Sequence, residues 1–190
     1  MKIQTITDME IEYTSYQGGI PWQISNMSEL QYLDIAGANL SGALPKELSN
    51  LTKLESLFLF KNQINGLLPK EFSKLVSLKS LDLSDNFISG EIPESFSELK
   101  NLSLLSLMYN EMGGTVPNAI SELPNLETLL IWSNSFSGSL PINLGMNSNL
   151  QVLDVSTNYL NGSIPPNLCA NGMLTKLILF SNKFSGEFPD

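Results

Sequence analysis

Asp82 and Asp154 are the two carboxylates whose placement could in principle support acid and base chemistry on one bond. They stand three 24-residue steps apart, which at about 4.8 Å per stacked strand is roughly 15 Å, too far to flank a single scissile bond. Two charges on a solvated face are the stronger reading. The rest of the chain offers no other catalytic set: histidine and arginine are absent, all ten basic residues are lysine, and Cys169 is the one cysteine. A lone cysteine forms no internal disulfide, and Cys169 is expected to be a small core residue rather than a reactive thiol. No metal site and no cofactor site is expected.

Recognition chemistry is better represented. Phe58 and Phe60, Met108 and Tyr109, Leu130 and Trp132, and Ile178 and Phe180 fall where a half-buried strand should show polar side chains to water. Large apolar groups on a wet face usually mark a partner site. With Asp82 and Asp154 they form the candidate binding surface. Asp34, Asp85 and Glu111 add negative charge, and Lys61, Lys176 and Lys183 are the few positive charges expected beside them. A basic or neutral partner fits that balance, whereas a net charge of -9 argues against nucleic acid.

These residues are positioned by a repeat. From Ile6, steps of 24 give Leu30, Leu54, Leu78, Leu102, Leu126, Leu150 and Leu174; numbering each start as place 0, a glycine follows at place 12 and a proline at place 15 in all eight units. Aliphatic residues at places 0, 3 and 5 put the last two on one face of a short strand, while places 2, 4, 6 and 7 face the other way or lead off it. Asn62, Asn86, Asn110, Asn134, Asn158 and Asn182 recur at place 8, where an amide can both donate to and accept from turning backbone. Thr14 and Ala38 occupy that place in the first two units, which should be less regular. Later apolar places, such as Phe96 and Leu99, should return the chain through irregular or short helical segments. No unit can bury its apolar face alone, so neighbours must stack. The expected fold is α/β: a curved right-handed solenoid of eight coils with a parallel sheet on its concave side, one array over residues 1–190 whose last coil is incomplete.

The units, written L-x-x-L-x-L-x-x-N-x-L-x-G-x-I/L-P, resemble the plant-type leucine-rich repeat over residues 6–190, and LDLSDNFISGEIPESFSELKNL is close to that consensus. LSLMYNEMGGTVP, LETLLIWSNSFSGSLP and LDVSTNYLNGSIPPNLC further resemble ectodomains of plant receptor-like kinases, in particular the group containing the TDIF receptor, which binds short secreted CLE peptides. That resemblance implies an extracellular domain on a single-pass plasma-membrane receptor, a peptide on the inner face, a co-receptor near later coils and a cytoplasmic serine/threonine kinase. The sequence shows no signal peptide, cysteine-bearing cap, apolar span or kinase motif, so a fragment of such an ectodomain, itself no enzyme, is expected. The other reading is a secreted inhibitor or defence protein similar to polygalacturonase-inhibiting proteins. Acceptor sequences for N-glycosylation occur at Asn26, Asn39, Asn50, Asn101 and Asn161, close to the number expected by chance, with Asn39 expected to be hindered by its turn.

Overall fold

The computed structural model describes residues 3–188; Pro189, the last proline of the repeat, lies outside them. Each coil opens with a three-residue strand at places 2 to 4, from Asp8–Glu10 and Tyr32–Asp34 through Ser80–Asp82 to Lys176–Ile178. The eight strands form one parallel sheet in chain order, and every register step is a whole repeat, as in Leu81↔Leu105. Place 3 points inward and place 5 follows it into the core, so Leu57 and Leu59, or Leu81 and Leu83, are fully buried. In the third coil the same interior also takes Leu54, Ile64, Leu68, Phe72 and Leu75. A buried side chain of this size contributes about 1.5–3 kcal/mol, available only because coils stack on both sides.

Place 7 turns the chain. Its residue is left-handed in every coil, including Lys61 (φ 55°), Asp85 (55°) and Tyr109 (52°). Place 8 then fixes the bend. Buried Asn86 donates through Nδ2 to the carbonyls of Leu59 at 3.0 Å, Leu83 at 3.1 Å and Ser84 at 3.1 Å, and its Oδ1 accepts from the Ile64 N–H at 3.0 Å. One amide thus closes its own turn and ties it to the coil before. Where Ala38 replaces the asparagine, the Tyr16 N–H donates to the Ala38 carbonyl at 3.0 Å instead, and Asn62 Oδ1 takes both the Ala38 and Leu40 N–H groups.

Beyond the bend lies a second parallel sheet of seven strands, Ser41–Ala43 to Lys183–Phe184, which place periodicity did not reveal. It corrects two placements. Glu111 and Lys183 begin strands of this second sheet and do not share the concave face, because the left-handed turn at place 7 redirects everything after it. Pro45, Pro69, Pro93 and their equivalents then lead extended backbone into 3-10 turns such as Lys46–Asn50 and Glu94–Glu98. These are the expected short helical returns, held by i to i+3 bonds. In the sixth and seventh coils turns replace them, and Asn171 Nδ2 donates to the carbonyls of Gly145, Met146 and Ser148.

Candidate functional site

Strand alternation sends places 2 and 4 to the concave face, and place 6 follows on the same side beyond the strand. Reading across the coils, place 4 gives Phe58, Asp82, Ser106, Leu130, Asp154 and Ile178, joined by the registers Phe58↔Asp82, Asp82↔Ser106, Ser106↔Leu130, Leu130↔Asp154 and Asp154↔Ile178. Place 6 gives Phe60, Ser84, Met108, Trp132, Ser156 and Phe180. Nine of the ten candidate residues lie in these two columns, and the tenth, Tyr109, stands at place 7, on the turn at the sheet's rim. Phe58, Phe60, Met108, Leu130, Trp132 and Ile178 are half-buried, whereas Tyr109 and Phe180 are exposed.

Trp132 is half-buried because Tyr109, in the preceding coil, packs edge-on against it with ring centroids 4.4 Å apart. Part of its apolar area is thus covered by its neighbour. Its indole N–H has no partner among the described residues. Phe58 is flanked in the same way by Tyr32, at 5.6 Å and 75°. Tyr32 escaped the sequence reading although place 2 of its coil faces outward, a signal that was there to use.

Asp82 and Asp154 are more constrained than two solvated charges. Asp82 Oδ1 accepts from the Ser84 N–H at 2.9 Å, and Asp154 Oδ1 accepts from the Ser156 N–H at 3.0 Å and its hydroxyl at 2.7 Å. In each, Oδ2 has no partner among the described residues. Asp34 does the same with Ala36 at 2.9 Å, but is buried and also receives the Tyr32 hydroxyl on Oδ2 at 3.3 Å. Around it the first coils are acidic. Repulsion from Asp34, then loss of hydration, hydrogen bonding with Asp34 and repulsion from Glu10 push the Glu12 carboxyl above its ordinary range. Burial, followed by the Asp34 charge, raises the Tyr32 hydroxyl.

Ser106 is a second site residue, after Tyr32, that sequence reasoning missed. It sits on the outward column yet is 1 % exposed, and its Oγ has no hydrogen-bond partner among the described residues. Among the described residues no group of three or more His, Cys, Asp or Glu side chains is placed to hold a metal ion, and no helix is long and apolar enough to cross a membrane.

The remaining sequence candidates lie elsewhere. A groove of about 550 Å³ bounded by Pro117, Pro141 and Pro165 is on the flank, away from the concave sheet. Cys169 is exposed, against the expectation of a core residue: it follows the inward-pointing Leu168 and so turns out to water. The five glycan acceptors are all exposed. Asn39 Nδ2 donates to the Tyr16 carbonyl at 3.4 Å and Asn101 Nδ2 to the Val76 carbonyl at 2.8 Å, whereas the side chains of Asn26, Asn50 and Asn161 make no hydrogen bond among the described residues.

Comparison with known proteins gives the same geometry a context. The leucine rich repeat family model matches residues 28–88, 61–112 and 77–136, and a second leucine rich repeat model matches 149–171. A solved TDR receptor is similar at 50% identity and a TM-score of 0.95, over 97% of this chain and 32% of that one. The plant peptide hormone receptor RGFR1 in complex with RGF2 is similar at 33% identity and a TM-score of 0.90, over 97% and 30%. The Arabidopsis receptor kinase HAESA, solved with the peptide hormone IDA and the co-receptor SERK1, is similar at 36% identity and a TM-score of 0.79, over 98% and 35%. The chain spans about a third of the length of these structures. Among curated proteins no sequence match was found.

Proposed function

The chain belongs to the leucine-rich repeat family, and from that premise we propose that it is part of the extracellular ligand-binding domain of a plant receptor-like serine/threonine kinase, binding a secreted CLE-like peptide across its concave sheet. The observation that carries this reading is the outward column itself. Phe58, Phe60, Met108, Leu130 and Trp132 stay partly open to water while the interiors of the coils that carry them are already filled, so these side chains are not needed to complete the core. Similarity to receptors solved with peptide hormones supports it. The parent would sit in the plasma membrane with these coils outside, and a co-receptor would meet coils other than these.

Binding is the work of this chain; any phosphoryl transfer belongs to a kinase domain elsewhere in the parent. Trp132 serves as an aromatic anchor whose indole N–H is free to meet a ligand carbonyl. Asp82, Asp154 and the rest of the column, with Tyr109, Ile178 and Phe180 at its margins, supply contact area and polarity. Calorimetric titration of the chain with a panel of CLE-like peptides tests the proposal. Saturable binding that weakens in Trp132→Ala supports it; binding to a folded polygalacturonase and to none of the peptides would favour an inhibitor.

A further inference from the structure

Ser106 lies midway in the outward column, in register with Asp82 on one side and Leu130 on the other, with Asp154 beyond Leu130. Its Oγ is covered without being bonded, so in the free protein the hydroxyl has lost water and gained nothing. Met108, two residues on at place 6, and Leu130, the register partner of Ser106, are flexible side chains that are only half-buried, so a rotamer change at either alters this part of the face without moving backbone. The two aspartates on either side are held by the backbone N–H groups of Ser84 and Ser156, each with Oδ2 unpaired among the described residues. A fixed acceptor, a buried unsatisfied hydroxyl and a second fixed acceptor thus stand in one row.

We infer that this row selects an extended peptide carrying cationic side chains at positions i and i+4 and a small polar group at i+2. Three strand spacings of about 4.8 Å separate the aspartates by roughly 15 Å, and four residues of extended peptide cover about 13 Å, a difference that long basic side chains span. Period-two alternation puts i, i+2 and i+4 on the same side of the ligand. Lysine or arginine at i and i+4 meets the free oxygens of Asp82 and Asp154; residue i+2 then falls about 7 Å from Asp82, between Ser106 at about 4.8 Å and Leu130 at about 9.6 Å, so its polar group leans about 2 Å towards Asp82 to complete the Ser106 hydroxyl. The net charge of -9 draws such a ligand in. This deepens the concave-face reading and rests on it.

The test uses random twelve-residue peptides displayed on phage and selected against the full chain. Enriched sequences are then synthesised and titrated against wild type, Asp82→Asn, Asp154→Asn, Ser106→Ala and Trp132→Ala. Asparagine keeps the oxygen that accepts from residue i+2, so the local turn survives both changes. The expected result is enrichment of basic pairs four apart, with a loss of about fivefold in affinity for each Asp→Asn change, the scale of an exposed ion pair. Ser106→Ala should weaken binding about fivefold, the scale of one neutral hydrogen bond, while its melting temperature stays level or rises. Enriched peptides without that spacing, or affinities unmoved by the Asp82, Asp154 and Ser106 changes but lowered by Trp132→Ala, overturn this inference and leave the concave-face reading standing. A selection yielding no peptide that depends on Trp132 overturns both.

Discussion

The ring of Tyr109, at place 7 of its coil, stands edge-on to Trp132 at place 6 of the next, with centroids 4.4 Å apart and planes 64° from parallel. Tyr109 reaches it from a left-handed backbone conformation, φ 52°, that a bulky residue rarely adopts. The pair bridges two coils on the concave face without entering the core.

From this arrangement Trp132→Ala should weaken peptide binding by about 2 kcal/mol or more, as for an aromatic anchor near the centre of an interface. A double-mutant cycle with Tyr109→Ala, read by thermal melts of the free protein, should give a coupling of about 0.5–1.5 kcal/mol. A variant whose melting temperature collapses while its affinity per folded molecule holds would make Trp132 structural.

The asparagine ladder should be steepest in its middle. Asn86→Ala removes four hydrogen bonds and strands buried carbonyls of two coils, so urea unfolding should show a loss of about 3 kcal/mol or more. Asn182→Ala, at the last coil and half-exposed, should cost about 1 kcal/mol, since water reaches its partners. Equal losses at the two sites would refute the argument.

Gly145 and Gly172 separate backbone strain from collision. Both have positive φ, 82° and 61°, but a Cβ on Gly145 would come 2.5 Å from the Leu168 carbonyl oxygen while one on Gly172 meets open space. Gly145→Ala should therefore cost about 2–4 kcal/mol, and Gly172→Ala about 1 kcal/mol, in the same unfolding assay.

The acidic first coils predict a pH effect of stated sign. Asp34 foremost, then lost hydration and Glu10, raise the Glu12 pKa in the folded chain above its ordinary value of 4.5. Between those two values the folded state binds more protons than the unfolded one, so this group's contribution to stability falls as pH rises through the window. Glu12→Gln should raise the melting temperature at neutral pH and leave it unchanged at pH values below about 4. A melting temperature lowered at neutral pH would show that the carboxylate is favourably paired.

The repeat was legible because its physics is local. Leucines at places 3 and 5, asparagine at place 8, glycine at place 12 and proline at place 15 each answer to a backbone or burial requirement within one coil, and stacking follows from the incompleteness of a single coil. The outward columns at places 4 and 6 followed from alternation, so the nine candidate residues they hold could be assigned to one face from sequence alone, whereas Tyr109 at place 7, and Glu111 and Lys183 after it, depend on the turn.

What the tertiary structure decided depends on the neighbouring coil. Gln63-Ile64-Asn65-Gly66-Leu67 shows one inward aliphatic residue and gives little sign of being a strand until Ser41–Ala43 and Phe87–Gly90 pair on either side of it. Glu111 and Lys183 belong to that second sheet because of a left-handed turn that their own residue types do not encode. Asp82 reads as a surface charge until its Oδ1 is seen on the Ser84 N–H. Ser106 reads as an ordinary polar strand residue; only the side chains brought in by its neighbours bury the hydroxyl, because burial on a sheet face is set by adjacent strands and not by the residue itself.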